Sequence, residues 1–311
     1  MYTDFPQYIQ FYPTLKCNFN CTFCFNRGIS SDTEVNLKDF ERIVSVASDG
    51  GVEEIDMLGG EPTLHSGFSQ ITDILYTNKL KTTISTNGSN IPLLEKLSKK
   101  YNGELIKIGV SLNADVITEE LHEYITMYKP ILKSICSNKR IIPESAQHYL
   151  GLTDIEYYLL FMDTVHDDDL RTSLPFYEFL KELNNLKDIY NNVNGVFCSG
   201  FIPDTENYPV LQHVRCPAGT IKLSIMPDGS VYPCYLFFRH SEFRLGNILN
   251  DDFKSIWSNP ILDFFRRFDK NICTNTRCEV FSDCHGGCPA VSLLIYNDIK
   301  APDPRCVVRR V

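Results

Sequence analysis

Residues 8 to about 200 alternate between short strand-like runs and longer segments with a helical period. This alternation is typical of a parallel sheet whose strands are joined by crossover helices. The strand-like runs are 9–15, 54–58, 82–85, 105–112, 156–162 and 194–199. The helix-like segments are 37–48, which Asn36 is suited to cap, 66–78, 91–101, 118–132 and 174–190. The pattern predicts an α/β chain with a partial (β/α)6 TIM-like barrel, in which 134–155 is irregular.

Unusual loops follow the first four predicted strands. They are the cysteine loop 17–24, the run Gly59-Gly60-Glu61-Pro62, the turn Thr86-Asn87-Gly88, and Ser111 with Asn113. In parallel βα architectures the loops at the carboxyl ends of the strands gather on one face and form the site. The sequence therefore predicts that a cofactor binds on this face.

The cysteine loop has the spacing C-x3-C-x2-C, with Cys17, Cys21 and Cys24 close together. Three thiolates on one loop can hold three corners of a cubane iron–sulfur cluster and leave the fourth iron open to a small molecule. A zinc loop or three buried thiols are the structural alternatives, although zinc loops usually pair C-x2-C with a second pair of ligands.

This loop resembles the signature of the radical S-adenosylmethionine (radical SAM) superfamily, in which an aromatic residue precedes the third cysteine, as Phe23 does here. Gly59, Gly60, Glu61 and Pro62 match the superfamily's GGEP motif, which the resemblance assigns to the amino group of SAM. Ser111 lies where relatives carry SLDG, with Asn113-Ala114 replacing Asp-Gly. The resemblance thus implies that SAM is bound by Phe23, Gly59, Gly60, Glu61, Pro62, Thr86, Asn87, Ser111 and Asn113.

Seven of the twelve cysteines lie between Cys216 and Cys306. The N-terminus lacks the pattern of a signal peptide and no apolar run reaches eighteen residues, so we expect a cytoplasmic protein. Thiols stay reduced there, and the cysteines therefore indicate metal ligation rather than disulfides. Iron–sulfur clusters fit this soft-ligand set, with zinc ribbons as the alternative.

The second set resembles the SPASM extension of radical SAM enzymes. Cys216 and Cys234 flank a predicted hairpin, and a spacing of x4, x5 and x3 joins four later cysteines, where relatives commonly have x2 first. The resemblance implies a barrel domain over 1–200 and an auxiliary-cluster domain over 201–311. It assigns Cys216, Cys234 and Cys288 to auxiliary cluster I, and Cys273, Cys278, Cys284 and Cys306 to auxiliary cluster II.

Auxiliary cluster I is then one ligand short. Cys198 could complete it, or its fourth iron could be open to substrate. Cys198 or Cys136 could instead donate a hydrogen atom during catalysis. Each lone cysteine could also be a small buried hydrophobe.

The resemblance implies three [4Fe-4S] clusters and reductive cleavage of SAM to a 5'-deoxyadenosyl radical, which abstracts hydrogen from an unactivated carbon. The implied substrate is a peptide that is crosslinked, epimerised or oxidised during maturation of a ribosomal peptide or protein. The reductant implied is a flavodoxin or ferredoxin.

Two alternatives stay open. The first predicted strand begins within ten residues of Met1, so we expect peptide recognition to be separate or unnecessary. A radical SAM epimerase or dehydrogenase acting on a sugar or aminoglycoside would need none. A non-catalytic zinc or electron-transfer metalloprotein is the other alternative. The formal net charge of -9 gives no reason to expect nucleic acid or an anionic membrane as a partner.

Overall fold

A computed structural model describes residues 4–101, 103–196, 216–266, 278 and 286–306. Its strands, within these residues, are β1 (Tyr8–Phe11), β2 (Glu54–Met57), β3 (Lys81–Thr86), β4 (Ile106–Ser111), β5 (Ile131–Cys136), β6 (Tyr157–Phe161), β7 (Val193–Val196), β8 (Lys222–Ile225), β9 (Ser230–Tyr232) and β10 (Gly246–Asn247). Its helices are α1 (Leu37–Asp49), α2 (Phe68–Thr77), α3 (Ile91–Tyr101), α4 (Glu119–Tyr128), α5 (Glu144–Gln147), α6 (Phe176–Ile189), α7 (Phe253–Trp257), α8 (Leu262–Arg266) and α9 (Pro289–Tyr296).

The strands belong to one sheet. Over the described residues its order is β10-β9-β8-β1-β2-β3-β4-β5-β6-β7. Neighbours from β8 to β7 pair in parallel, and the β8–β9 and β9–β10 pairs are antiparallel. The α/β class with a TIM-like parallel sheet is as the sequence predicts.

Helix α1 shows how the sequence places a helix on this sheet. Asn36 caps it, because its side-chain oxygen accepts a hydrogen bond of 2.9 Å from the backbone N–H of Asp39. The buried residues recur with the helical period and pack on the strands, as the ring contact of Phe40 with Phe11 at 5.2 Å illustrates. The predicted cap and helix are confirmed.

Strand β5 is the main departure from the sequence prediction. We expected a helix over 118–132 and irregular chain over 134–155. Helix α4 instead ends at Tyr128, because Lys129 adopts a left-handed conformation (φ 49°) and Pro130 cannot donate a helical hydrogen bond. The strand that follows raises the number of described strands before residue 200 from the predicted six to seven, so the predicted fifth and sixth strands are β6 and β7.

The hairpin flanked by Cys216 and Cys234 is present as β8 and β9, with Ser224 opposite Tyr232. Its first strand also pairs in parallel with β1, with Tyr8 opposite Lys222. A continuous apolar core runs from the barrel strands to α7 and α9. Over the residues described, none of the helices has the length and apolar character needed to cross a bilayer.

Candidate active site

A cavity of about 730 Å3 opens at the carboxyl ends of β1 to β6. The cysteine loop forms one wall, and the residues that follow β2, β3 and β4 form the others. Of the predicted site residues, those that line it are Cys17, Cys21, Phe23, Cys24, Gly59, Gly60, Glu61, Thr86, Asn87, Ser111 and Asn113. The topology thus brings four separate loops of the sequence to one cavity, as expected of a parallel βα sheet.

The three thiols of the cysteine loop interact with one another. Burial raises the pKa of Cys21, and negative charge on Cys24 and Cys17 raises it further. Backbone N–H groups donate to two of the sulfurs, from Phe19 to Cys17 Sγ at 3.4 Å and from Asn26 to Cys24 Sγ at 3.3 Å. Such donors favour the charged thiolate that a metal requires.

The donors in this loop suit a cubane cluster. Across the described residues, no three His, Cys, Asp or Glu side chains converge closely enough to hold one metal ion. The ligands of a cubane do not need to converge on one point, because each binds a different iron. Three free thiols on one cavity wall, two of them with N–H donors, are a donor set that suits such a cluster.

Gly59 and Gly60 are held against the chain that leads into the cysteine loop. A Cβ on Gly60 would stand 1.9 Å from the carbonyl oxygen of Lys16, and one on Gly59 would stand 2.5 Å from that of Thr14. The backbone N–H of Gly60 donates to Thr14 at 3.0 Å. The side chain of Asn26 also donates to the carbonyl of Gly59. The glycines are therefore required by close contact with Thr14 and Lys16, which lead into the cysteine loop.

Glu61 ties the loop after β2 to the loop after β3. Its buried carboxylate accepts from Thr63 N–H (3.1 Å) and hydroxyl (2.6 Å), from the Thr86 hydroxyl (2.7 Å) and from Asn87 N–H (2.7 Å). Burial raises the pKa of Glu61, while these donors oppose the rise. Pro62 is buried, begins a short 3-10 turn and does not line the cavity.

The other residues predicted to contact SAM differ in the hydrogen bonds that their side chains make to the rest of the chain. Thr86 donates to Glu61, Asn87 donates to Asn18 at 2.9 Å, and Asn113 accepts from the backbone of β5 at 2.9 Å. The hydroxyl of Ser111 makes no hydrogen bond to another described residue. Ser111 is thus the side chain among these most available to a ligand.

Lys133 on β5 lines the cavity, and sequence reasoning missed it because β5 was not predicted. Its ammonium donates to the Ser85 hydroxyl at 2.5 Å, and that hydroxyl donates to Asp56 at 3.2 Å. Burial lowers the pKa of Lys133 to about 8, against the charges of Asp56 and Glu61. Burial raises the pKa of Asp56 to about 6, although Lys133 opposes this. Pro130 was the signal that could have revealed the strand.

The structure brings together part of the second cysteine set. Burial raises the pKa of Cys288 to about 12, and Cys216 is close enough to raise it further. Cys234 is buried just after β9. Cys278 and Cys306 are half-buried, while Cys273 and Cys284 lie outside the described residues.

The two lone cysteines have different outcomes. Cys198 lies outside the described residues. Cys136 ends β5, is fully buried in the apolar core and does not line the cavity. Burial raises the pKa of its thiol to about 12. Of the readings of Cys136, the small buried hydrophobe is the one this position favours.

Two family models match the chain. The radical SAM superfamily model matches residues 11–142, and the model of an iron–sulfur cluster-binding domain, SPASM, matches residues 216–288. The first span holds the cysteine loop and the strand-end loops that line the cavity, and the second begins and ends at Cys216 and Cys288.

Named proteins are similar over nearly the whole chain. The subtilosin biosynthesis protein AlbA of Bacillus subtilis is 25% identical over 91% of this chain and 67% of its own length. The mycofactocin maturase MftC of Mycobacterium tuberculosis (strain H37Rv) is 22% identical over 94% of this chain and 81% of its own. The crystal structure of SuiB of Streptococcus suis bound to its precursor peptide SuiA superposes with a TM-score of 0.72, at 22% identity, over 98% of this chain and 77% of SuiB.

Proposed function

Since the chain belongs to the radical SAM superfamily and carries a SPASM domain, as its sequence predicts, we propose that it modifies a peptide during maturation. The observation that carries the proposal is the single cavity lined by Cys17, Cys21, Cys24 and the ends of the first strands. Similarity over more than nine-tenths of the chain to proteins named for subtilosin biosynthesis and mycofactocin maturation supports a peptide as the substrate.

The cofactors of this enzyme are SAM, the [4Fe-4S] cluster that binds it, and the auxiliary clusters of the SPASM domain. In the proposal Cys17, Cys21 and Cys24 hold the first cluster. Ser111, with the backbone around Gly60 and Asn87, holds SAM. When bound, these groups supply a low-potential electron and a carbon radical that removes hydrogen from an unactivated carbon.

The chain's own residues position the reacting groups and exclude water. Glu61 fixes two strand-end loops through four hydrogen bonds, so the polar edge of the cavity is set before a ligand arrives. Apolar side chains from the cysteine loop and three strand ends, Phe23, Leu58, Leu112 and Leu160, line the interior. An apolar lining protects a reactive carbon centre from stray proton and hydrogen donors.

The edge of the cavity is suited to a peptide side chain. Phe19 and Val116 both line the cavity and are 52% and 82% exposed. Large apolar side chains exposed together at a cavity commonly mark a contact surface. A hydrophobic residue of the peptide would cover them while its neighbour enters the cavity.

We also propose that the enzyme works in the cytoplasm and receives electrons from a flavodoxin or ferredoxin. A reducing compartment keeps thiols available for cluster assembly. Cys273, Cys278, Cys284 and Cys306 are then ligands of a second auxiliary cluster, and Cys216, Cys234 and Cys288 are ligands of the first.

The experiment begins with anaerobic reconstitution with iron and sulfide, followed by dithionite and SAM. We expect about twelve irons per chain, the sum for three four-iron clusters, and release of 5'-deoxyadenosine. Cys17→Ala should abolish the release, whereas Cys136→Ala, the matched control, should not. Zinc in place of iron, or well-formed clusters that never cleave SAM, would refute the proposed radical SAM activity.

The substrate class is tested by coexpression with short peptides encoded beside the gene, followed by mass spectrometry. Loss of hydrogen from a peptide, or deuterium uptake by it from heavy water, would support a peptide as the substrate. Turnover of sugars or aminoglycosides with unmodified peptides would favour the small-molecule alternative. Val116→Lys should weaken peptide turnover while SAM cleavage without peptide stays unchanged.

A further inference from the structure

The segment after Cys234 reaches across to the cysteine loop through Arg239. Its Nη2 donates to the backbone carbonyl of Phe25 at 2.7 Å and to that of Arg27. These carbonyls follow Cys24 directly, although Arg239 is more than two hundred residues away in sequence. One side chain of the SPASM region thus holds the exit of the cysteine loop.

Two aromatic contacts hold residues 235–238, which directly precede Arg239, against the chain on either side of the cysteine loop. The ring of Phe25 packs on that of Tyr235, with centroids 4.8 Å apart. The ring of Tyr12, on the chain leading into the cysteine loop, meets Phe238 edge-on at 4.9 Å. These contacts leave Arg239 little freedom to turn away from the loop.

The guanidinium of Arg239 carries a positive charge on which the Asp169 carboxylate acts without forming an ion pair with it. Within the part of the chain that the structure describes, none of the ion pairs involves Arg239. Its Nη1 is buried and has no hydrogen-bond partner there. The other cation of the loop, Arg27, differs because it pairs with Asp169.

This charge lies close to the first cluster's proposed ligands. The hydrogen bond of 2.7 Å from Nη2 to the Phe25 carbonyl places the guanidinium beside the residue that directly follows Cys24. A buried N–H without a partner is costly, and an anionic group beside it removes that cost. A cluster held by thiolates is such a group.

We infer that Arg239 is a positioning residue through which the SPASM region sets the reduction potential of the SAM-binding cluster. The inference rests on the proposed assignment of Cys17, Cys21 and Cys24. On reduction, one electron enters the cluster from an external low-potential donor and no proton follows. The reduced centre therefore has one more negative charge, which the guanidinium stabilises. The hydrogen bonds of Arg239 to the carbonyls of Phe25 and Arg27 hold the loop, so the guanidinium stays close to the proposed ligand Cys24.

The test compares Arg239→Gln, Arg239→Lys and Arg244→Gln in reconstituted enzyme. Arg244 is exposed, lies on the same segment and makes only a local contact, so it controls for loss of a positive charge. The reduction potential of each variant is measured by redox titration followed by electron paramagnetic resonance. The SAM-binding cluster is identified as the one whose signal changes when SAM is added. Hydrogen exchange of residues 24–30 in the same samples reports the order of the loop.

We expect Arg239→Gln to hold about tenfold less reduced cluster at a fixed potential, which is a shift of about 59 mV for a one-electron couple. Arg239→Lys should keep the wild-type potential but exchange faster in the loop, because an ammonium cannot span two carbonyls in the arginine's geometry. Arg244→Gln should match wild type in both measurements.

Equal potentials in wild type and Arg239→Gln would overturn the inference. If Arg239→Gln loses its iron, Arg239→Met takes its place as the variant without the charge, and a wild-type potential in that variant overturns the inference. A lowered potential in Arg239→Lys, which keeps the charge, also overturns it. Failure of the proposed function looks different, because then no SAM-sensitive signal appears in wild type, or Cys17→Ala retains it.

Discussion

The buried ion pair of Asp303 and Arg305 allows a stability effect to be worked out from the structure. The side chains are 7% and 5% exposed, and the carboxylate accepts from Arg305 Nη2 at 2.7 Å and Nε at 2.9 Å. Arg305 Nη1 donates to the carbonyl of Met162 at 2.7 Å. The carboxylate also accepts from Cys288 N–H at 2.9 Å. The pair therefore joins the proposed ligand Cys288 to the end of β6.

Asp303→Asn should cost about 3–5 kcal/mol, because it leaves the guanidinium buried without its counter-charge. The asparagine amide has the shape of the carboxylate, but only its oxygen accepts hydrogen bonds. Its NH2 group would therefore face an N–H donor of Arg305, and one of the two hydrogen bonds is lost. Trp257, the single tryptophan, is buried, so its fluorescence reports unfolding in urea. We expect the transition to move to lower urea by the corresponding amount.

Two further variants separate the pair from other effects. Lys99→Met removes an ion pair whose partners are 64% and 40% exposed, and it should leave the urea transition almost unchanged because water screens exposed charges. Asp303→Asn combined with Arg305→Met should cost clearly less than the sum of the single changes, since neither charge is then left alone. A loss below about 1 kcal/mol in Asp303→Asn, or strict additivity, would refute the reasoning.

Three other changes have defined outcomes. Gly60→Ala places a Cβ 1.9 Å from the Lys16 carbonyl, so reconstituted iron should fall by about the four atoms of one cluster. Gly51→Ala has nothing within 4 Å but is strained by its φ of 79°, so it should lose stability and keep its iron, which controls for a general loss of stability. Cys136→Ala should lower stability by about 1 kcal/mol and leave iron and SAM cleavage unchanged, because burial raises the pKa of this thiol to about 12 and keeps it protonated; iron loss would contradict this. Burial lowers the pKa of Lys133 to about 8 from 10.5, so wild type should gain about 3 kcal/mol relative to Lys133→Met as pH rises through that interval, and a flat difference in urea melts would count against it.

Local signals in the sequence were sufficient for most of the barrel. The helix that begins after Asn36 was predicted because its cap and its apolar period lie within a few residues of each other. The strand over Ile131–Cys136 was missed because the apolar pattern of α4 was extended to residue 132, past Pro130, which ends a helix. The pairing of β8 with β1 leaves no local trace, because it joins residues 214 positions apart, from Tyr8 to Lys222.

The candidate site divides in the same way. The cysteine loop and Ser111 were predicted to lie together because each lies at the carboxyl end of a predicted strand. Gly60 was predicted to lie near a ligand, and the structure shows in addition that it packs on the loop at Lys16. The roles of Lys133 and Arg239 depend on burial and on contacts distant in sequence, which no short pattern encodes.

The parallel pairing of β8 with β1 has a consequence for synthesis of the chain. Strand β1 leaves the ribosome some two hundred residues before its partner, and until then one row of its backbone N–H and C=O groups is unpaired. A nascent barrel with such an open edge is prone to pair with other chains, so its early protection is a task for chaperones. For the same reason, an exchange of C-terminal regions between related enzymes puts a foreign strand beside β1 unless the crossover is made at the β8–β9 turn, 227–229.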